Sequence, residues 1–297
     1  MTGSRAVPRT LREWLRYTEQ SFRRARLWYG HGTHSARDEA AWLLMHVLRL
    51  PHARLAQSLE RELTAAERRA VVKLVGQRVR TRRPLAYLLH EAWLGEHRFY
   101  VDERTIVPRS FIAELLRDKL TPWVTDPGRV RNALDMCTGS GCLAVLLALA
   151  FPRAAVVATD ISHAALEVAR RNVRAYRLGR RVKLVRSDLF AGLPAVQYDL
   201  IVANPPYVDA RAMRDLPKEY SFEPKIALAG GADGLRFVGR ILRSAAQFLG
   251  PKGVLIVEIG HNRRALERAF PRTPFTWLET SAGDRFVFLV AREDLPP

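Results

Sequence analysis

The chain has 297 residues, of which 48% are hydrophobic, and it carries a formal net charge of +18 at pH 7. This length allows two domains with full-sized cores, and the longest apolar run, Cys142–Phe151, is about half of the ~20 residues that a membrane span requires, which excludes a membrane protein. The two cysteines, Cys137 and Cys142, lie in one predicted strand-turn-helix and the eight histidines are scattered, so neither a structural disulfide nor a metal site is expected.

Residues 1–84 are predicted to form an all-helical domain. Thr64-Ala65-Ala66-Glu67 is a capping box that opens a helix running to about Val79, and Pro84 is expected to close the unit. Two earlier helices are indicated by apolar residues at helical spacing, with Pro51 ending the second group: Leu11, Trp14, Leu15, Phe22 and Leu27, then Ala40, Ala41, Leu43, Leu44, Val47 and Leu48.

Positive charge is concentrated in this helical third. Residues 1–90 hold 18 lysines and arginines against 7 aspartates and glutamates, whereas residues 91–297 hold 30 against 23. Such a balance is typical of a domain that contacts nucleic acid or a ribonucleoprotein. An arginine-biased composition with a solvated basic surface explains it equally well, so charge alone fixes no partner.

Residues 85–108 are predicted to link two domains through a β-hairpin. Aromatic and apolar residues flank the turn Gly95-Glu96-His97, with Trp93 and Leu94 before it and Phe99 to Val101 after it. Pro108 then leads into a predicted helix over Phe111–Leu120.

Residues 109–297 are predicted to form a doubly wound α/β sheet of the Rossmann-like type with a terminal antiparallel hairpin. Strands and helices alternate after Arg131, which is the pattern of such sheets. The expected strands are Ala133–Cys137, Ala155–Thr159, Val182–Val185, Tyr198–Ala203 and Val254–Ile259, the helices are Gly141–Ala150, Ala164–Tyr176 and Leu235–Phe248, and the terminal pair is Phe275–Thr280 with Arg285–Val290.

A glycine-containing turn follows the first of these strands. The run Asp135-Met136-Cys137-Thr138-Gly139-Ser140-Gly141 lies at the strand's carboxyl end and opens the next helix. Glycines at this point let a ligand approach the backbone, and open α/β sheets bind ligands in this crevice. A dinucleotide-binding turn would need a third glycine, so NAD binding is disfavoured.

Carboxylates end the next two strands. Asp160 can accept both ribose hydroxyls of a nucleoside, or it can cap the following helix, a task for which Ser162 is at least as well placed. Asp188 can accept an adenine amine while Leu189 or Phe190 packs against the ring, or it can simply cap a turn.

The fourth strand, Tyr198–Ala203, ends in Asn204-Pro205-Pro206-Tyr207. The two prolines stop the sheet ladder and leave carbonyl oxygens without partners. The loop therefore offers an amide side chain, free carbonyls and an aromatic face to a planar group that brings N–H donors. Glu258 ends the fifth strand facing the same crevice, and the sequence does not separate a structural from a functional role for it.

This ordered set of strand ends resembles the class I S-adenosylmethionine-dependent methyltransferases with the Asn-Pro-Pro-Tyr signature, which act on planar nitrogens of glutamine, adenine or cytosine. The match is narrower for the branch that methylates a glutamine in the third ribosomal protein of the large subunit. The release-factor branch carries Pro-Arg-Pro where this chain has Pro108-Arg109-Ser110, and one departure is Phe111, where proline is expected. The matching segments are Val107–Leu115, Asp135–Gly141, Asn204–Ala210, Asp215–Pro217, Glu219-Tyr220 and Glu223-Pro224.

The resemblance implies S-adenosylmethionine as cofactor and a ribosomal protein, free or in an assembling large subunit, as substrate. The absence of an expected disulfide indicates a reducing cytoplasm, and the basic charge of residues 1–84, the expected substrate-recognition domain, would allow contact with rRNA. Catalysis is expected from Asn204, Pro205 and Tyr207, and substrate binding from these residues with Pro206 and Arg109. The expected cofactor-binding residues are Asp135, Cys137, Thr138, Gly139, Ser140, Gly141, Asp160, Ile161, Ser187, Asp188, Leu189 and Asn204.

The hypothesis for the mechanism is orientation without a strong base: Asn204 and the Pro205 carbonyl accept the two amide N–H bonds and aim the nitrogen at the methyl donor. Three alternatives stay open. They are glutamine methylation of release factors, methylation of a nucleic-acid amine, which would need a region able to flip a base, and a basic ribosome- or RNA-binding module without activity.

Overall fold

The computed structural model describes residues 7–193 and 196–296, which form two compact units. One unit ends at Glu91 and also contains Pro217–Phe222; the other contains Ala92–Leu216 and resumes at Glu223. The division lies seven residues beyond the predicted boundary at 84, because Pro84 opens a further helix instead of closing the unit. The assignment of 217–222 to the helical unit has no signal in the sequence.

The first unit is helical, as predicted. The capping box at Thr64 is confirmed, since its backbone N–H donates to Glu67 at 2.8 Å and its hydroxyl accepts from the Glu67 N–H at 3.3 Å. Thr10 and Glu13 form a second capping box that the sequence analysis missed. The helices are α1 (Leu11–Arg24), α2 (Ala36–Leu48), α3 (Ala65–Thr81) and α4 (Leu85–Leu89).

A buried ion pair ties α2 to α3. The Arg78 guanidinium is fully buried and donates from Nε to the Glu39 carboxylate at 2.6 Å. It also donates to the carbonyls of Arg82, at 2.8 Å, and Trp28, at 3.1 Å. Burial raises the pKa of Glu39, and the Arg78 charge and the hydrogen bonds from Arg78 and Thr33 oppose that shift, so Arg78 is the cation that balances the buried carboxylate.

We expect Arg78→Met to lower the free energy of unfolding of the helical unit by about 3–5 kcal/mol, because it leaves a buried carboxylate without its cation. Arg80→Met is the matched control, since Arg80 is exposed on the same helix and surface changes stay within about 0.5 kcal/mol. Urea denaturation followed by circular dichroism measures both. Equal effects of the two substitutions would contradict the importance of the buried pair.

The second unit opens with the predicted hairpin. Strands β1 (Ala92–Leu94) and β2 (His97–Phe99) pair antiparallel, and Gly95 in the turn has a φ of +60°. The next helix, α5 (Ile112–Arg117), is shorter than predicted. It cannot extend to Leu120, because Lys119 and Leu120 both have positive φ.

The seven-stranded sheet confirms the predicted doubly wound fold with a terminal hairpin. Its strand order is β5-β4-β3-β6-β7-β9-β8; neighbours from β5 to β7 run parallel, and β9 runs antiparallel to both β7 and β8. The strands are β3 (Asn132–Met136), β4 (Ala155–Asp160), β5 (Val182–Arg186), β6 (Tyr198–Ala203), β7 (Leu249–Glu258), β8 (Thr276–Thr280) and β9 (Gly283–Ala291), and the remaining helices are α6 (Cys142–Ala150), α7 (His163–Ala175), α8 (Ala212–Asp215), α9 (Arg236–Phe248) and α10 (Arg263–Ala269).

Each face of the sheet carries its own apolar core. The side chain of Ala133 packs with α5 and α6 on one face, while Leu134 packs with α9 on the other. The strand order reverses at β3, which lies between β4 and β6. The carboxyl ends of β3 and β6 therefore open a crevice at the switch point, where ligands of such sheets bind. Among the described helices, none has the length and apolar character to cross a membrane.

Candidate active site

The strand register brings the predicted site residues into one row. Met136 pairs with Thr159 on one side and with Ala203 on the other, and Ala203 pairs with Val257. The residues that follow these four strand positions are Cys137, Asp160, Asn204 and Glu258. Parallel pairing therefore places the glycine turn, the predicted ribose carboxylate, the Asn-Pro-Pro-Tyr loop and Glu258 at adjacent strand ends.

The two glycines of the turn have different tasks. Both have positive φ, +55° at Gly139 and +77° at Gly141. A Cβ on Gly141 would lie 2.9 Å from the Ala169 side chain, whereas one on Gly139 would meet nothing within 4 Å. Gly141 thus allows α6 and α7 to pack closely, and Gly139 leaves open space from which a ligand can reach the backbone.

Asp135 is a fully buried acid beneath this turn. The Thr138 hydroxyl donates to its Oδ2 at 2.5 Å, while Oδ1 has no hydrogen-bond partner in the described part of the chain. Burial raises the pKa of Asp135 to about 7. A cationic ligand group would supply the missing partner and favour the ionised form.

Asp160 is held by the backbone rather than used as a helix cap. Its two oxygens accept N–H bonds from Gly139 and Ser162, both at 2.9 Å. Ser162 itself caps α7, with its hydroxyl oxygen accepting from Ala165. Burial raises the pKa of Asp160. The carboxylate is therefore oriented at the end of β4, and the capping alternative is wrong.

The end of β5 differs from the prediction in its details. Asp188 is paired with Arg240 of α9, through two N–O contacts of 3.0 Å. Leu189 and Phe190 are both buried, and the Phe190 ring stacks on Phe248 at 4.5 Å between centroids. Ile161, by contrast, is 46% exposed, so it is the more accessible apolar side chain at these strand ends.

Ser187 shapes this strand end. Its backbone N–H donates to the carbonyl of Asp160 at 3.0 Å, and its single hydroxyl hydrogen is shared between the carbonyls of Leu189, at 2.8 Å, and Ala191. The side chain is thus engaged in the turn, which has positive φ at Leu189.

The Asn-Pro-Pro-Tyr loop presents Asn204 with its amide available. Asn204 is half-buried, and its side chain makes no hydrogen bond among the described residues. The loop continues in a fixed path, since Val208 donates to Leu228 at 2.9 Å and Gly230 donates to Val208 at 2.8 Å. The amide therefore sits on a rigid support.

Tyr207 packs against the backbone of two glycines, Gly230 and Gly260. A Cβ on Gly260 would lie 2.6 Å from the tyrosine ring, and one on Gly230 would lie 2.7 Å from the tyrosine Cα. The Asn262 side chain donates to the Tyr207 carbonyl at 2.8 Å. These neighbours were missed by the sequence analysis, although the glycine two residues after Glu258 was a visible signal for close packing.

Glu258 joins two loops. It is 1% exposed, and its Oε2 accepts from the Ser110 hydroxyl at 2.6 Å and from the Phe111 N–H at 2.8 Å. Its Oε1 lies 3.5 Å from the Tyr207 hydroxyl. Burial raises the pKa of Glu258 to about 7. Phe111, the departure noted in the sequence, thus contributes its backbone N–H to this contact.

Arg109 is engaged in a bidentate ion pair. Its guanidinium donates to both oxygens of the buried Glu223 carboxylate, at 2.6 and 2.7 Å. Glu223 also accepts from the Val107 N–H at 2.9 Å. The pair fixes the segment before α5, and a role for Arg109 in substrate binding remains a prediction.

The two cysteines are reduced and unreactive. Burial raises the pKa of both thiols, that of Cys142 to about 12, and Cys142, the first residue of α6, packs within the core. Within residues 7–193 and 196–296, no group of three His, Cys, Asp or Glu side chains could hold a metal ion.

The open backbone at Gly139, the oriented carboxylate of Asp160 and the amide of Asn204 at one switch point define a class I methyltransferase. The sequence matches two family models, the Methyltransferase small domain over residues 113–219 and the PrmC N-terminal domain over residues 13–89. The catalytic domain of hMettl16, solved with an RNA hairpin, shares the fold at a TM-score of 0.50 and 16% identity, over 76% of this chain and 80% of its own.

Two curated relatives are each named ribosomal protein uL3 glutamine methyltransferase. The protein from Neisseria meningitidis serogroup B is 54% identical over 96% of this chain and 94% of its own length. The one from Bordetella pertussis is 52% identical over 99% of this chain and 98% of its own length. The chain belongs to the family of ribosomal protein uL3 glutamine methyltransferases.

We expect Gly139→Ala and Gly141→Ala to fail in different ways. Each strains a positive φ, at a cost of about 1–3 kcal/mol, but only Gly141→Ala also clashes with Ala169, adding about 1–3 kcal/mol. Gly141→Ala should lower the melting temperature more, whereas Gly139→Ala should weaken binding of S-adenosylmethionine by calorimetry. The reverse order of effects would contradict the assigned tasks.

Proposed function

We propose that the protein transfers a methyl group from S-adenosylmethionine to the side-chain amide nitrogen of a glutamine in ribosomal protein uL3, in the cytoplasm. The observation that carries the proposal is the Asn204 side chain, which is unbonded among the described residues and lies beside the glycine turn. Relatives that are half identical over nearly the whole chain bear the corresponding name.

The residues at the switch point fit this cofactor. The unpartnered Oδ1 of buried Asp135 suits the ammonium group, and the space over Gly139 admits the ligand to the backbone. Asp160 is placed for the ribose hydroxyls, and exposed Ile161 for the adenine face. Asp188 keeps acceptor capacity beside Arg240, because each of its oxygens accepts one N–H bond from the guanidinium. When bound, the cofactor supplies an electrophilic methyl group on a sulfonium.

The loop after β6 is suited to orienting an amide. The Asn204 Oδ1 and the Pro205 carbonyl are acceptors for the two amide hydrogens, and the Tyr207 ring flanks the amide plane together with Pro206. An amide nitrogen is a weak nucleophile, since its lone pair is delocalised. Holding both N–H bonds directs that lone pair at the methyl group, so orientation and electrostatics provide the acceleration. The nitrogen forms its bond to the methyl carbon as the carbon–sulfur bond breaks with its electron pair on sulfur, and one of the two amide protons then leaves to water.

We expect Asn204→Ala to lower kcat about 100-fold or more, by analogy with removal of one oriented hydrogen-bonding group in other active sites. The affinity for S-adenosylmethionine, measured by calorimetry, should change far less. Asn132→Ala is the control, because Asn132 lies at the amino end of β3, on the opposite edge of the sheet. Near-normal methyl transfer by Asn204→Ala would refute the role of this amide.

The substrate class is tested by incubating the protein with radiolabelled S-adenosylmethionine and extract from cells that lack this activity. We expect label in one protein of the large ribosomal subunit, at a glutamine identified by mass spectrometry. Free uL3 and assembling subunits are assayed separately. Label in release factors, or in DNA or RNA, would replace the proposed substrate.

We propose further that the helical unit recognises the substrate and contacts rRNA through α3. Arg69, Lys73 and Arg80 are exposed at spacings that place them on one helix face, with no ion pair to any described residue. Val72, 49% exposed, lies beside them. A basic stripe of this kind binds phosphate groups.

We expect substitution of Arg69, Lys73 and Arg80 by glutamate to weaken binding to a large-subunit rRNA fragment. If each side chain contacts one phosphate, the plot of log binding constant against log salt concentration should become less steep, its negative slope shrinking in magnitude by about 2–3. The control replaces Arg264, Arg268 and Arg272, which are also exposed, and changes the net charge equally. An equal loss in both variants would show that only overall charge matters.

A further inference from the structure

Glu258 is a buried acid that the proposed chemistry does not use. Its Oε2 holds two strong donors, the Ser110 hydroxyl and the Phe111 N–H. Its Oε1 faces the Tyr207 hydroxyl at 3.5 Å, the outer limit of a hydrogen bond. Contacts of this kind are often long without ligands and shorten in the reactive complex.

The segment from Glu258 to Asn262 holds Tyr207 at three points. The carboxyl faces the hydroxyl, the bare backbone of Gly260 supports the ring, and the Asn262 amide bonds the carbonyl. The last two contacts do not depend on pH. The contact with Glu258 involves the hydroxyl itself, so protonation of Glu258 changes the hydrogen bond at that group.

We propose that Glu258 is a positioning residue for methyl transfer: its ionised carboxylate accepts the Tyr207 hydroxyl and holds the Asn-Pro-Pro-Tyr loop in its reactive geometry, and protonation of Glu258 reverses that bond. The inference rests on the proposed function for its effect on catalysis. It also connects the segment before α5 with the loop after β6, through the Ser110 and Tyr207 contacts of one carboxyl group.

The protonation state of Glu258 determines the direction of its hydrogen bond with the Tyr207 hydroxyl. An ionised carboxyl only accepts, so the Tyr207 hydroxyl donates to Oε1. With two donors already on Oε2, an added proton goes to Oε1, which then donates to the tyrosine oxygen and turns its hydrogen away.

The surroundings place this change near neutral pH. Burial raises the pKa of Glu258 to about 7, and hydrogen bonds from Ser110, Phe111 and Ile112 and the Arg109 charge oppose the rise. The facing groups are Arg109, paired with Glu223, before α5, and Tyr207 after β6, while Val287 of β9 is apolar. His261, three residues along the chain, contacts Phe286 and is the other titratable group of this segment.

The experiment is a pH profile of kcat with both substrates saturating. Saturation removes the contribution of Asp135, whose pKa is also raised to about 7 and which acts on cofactor binding. We expect kcat of the natural protein to fall as the pH drops through about 7, because Glu258 becomes protonated.

Glu258→Gln mimics the protonated state, since its amide oxygen can accept from Ser110 and Phe111 while its NH₂ donates to Tyr207. We expect kcat of this variant to be about tenfold lower at pH 8.5, the size of one lost hydrogen bond to a charged group. Its pH profile should also lack the acid limb, which is the fall of kcat below a pH of about 7. Loss of that limb in Glu258→Gln would also show that Glu258, and not His261, causes the fall of kcat. Tyr207→Phe should lose the limb too, and adding Glu258→Gln to it should change kcat no further.

Ser110→Ala tests the proposal in a chain that keeps Glu258. Removing this donor should raise the pKa of the carboxyl and move the acid limb to higher pH, while kcat at the plateau stays within about twofold, as expected when only the proton affinity changes. A limb that persists unchanged in Glu258→Gln, or does not move in Ser110→Ala, would overturn the proposal.

A readout without substrate separates this proposal from the proposed function. With ¹³C-labelled glutamate and tyrosine, the Glu258 carboxyl and Tyr207 Cζ resonances, assigned by their absence in Glu258→Gln and Tyr207→Phe, should titrate with one midpoint. A Tyr207 resonance that ignores the Glu258 titration overturns the proposal even if uL3 is methylated. A shared midpoint supports it even if the substrate proves to be another protein.

Discussion

The parallel pairing of β3 with β6 is the constraint on which the site depends. Because Met136 lies beside Ala203, the chain leaves both strands at the same level, and the glycine turn and Asn204 open onto one crevice. The neighbouring pairings bring Asp160 and Glu258 to the same edge. A shift of one residue in this register would carry every side chain after it to the opposite face of the sheet.

Three buried acids lie around the crevice of this basic protein. The chain has a net charge of +18, yet Asp135, Asp160 and Glu258 meet around one strand edge, and burial raises the pKa of each. Each acid accepts hydrogen bonds from the chain. Of the three, only Glu258 has its pKa lowered by the charge of an arginine, Arg109. Such an arrangement favours a cationic methyl donor, whose charge offsets the desolvation of the acids.

The segment after the Asn-Pro-Pro-Tyr loop is fixed by two acids, one in each unit. In the helical unit, Glu219 is fully buried and accepts from Arg82 at 2.6 Å and from the Trp28 N–H at 2.9 Å. Four residues later, in the sheet-containing unit, Glu223 pairs with Arg109. Removing either partner would leave a buried charge uncompensated, which is far more costly than the loss of a surface ion pair.

The sequence by itself determined the doubly wound sheet, most strand and helix positions and the strand ends that carry the site, because these follow from local periodicity, capping and proline. It misplaced the end of α5 and the boundary at 84, where backbone conformation and packing decide. The assignment of the ring surface to Leu189 or Phe190, both of which are buried, stays a prediction. Only the tertiary structure decided the partners of Arg109, Asp188 and Glu258, since each lies dozens of residues away along the chain. Contacts of such separation depend on strand order and register, which no local pattern encodes.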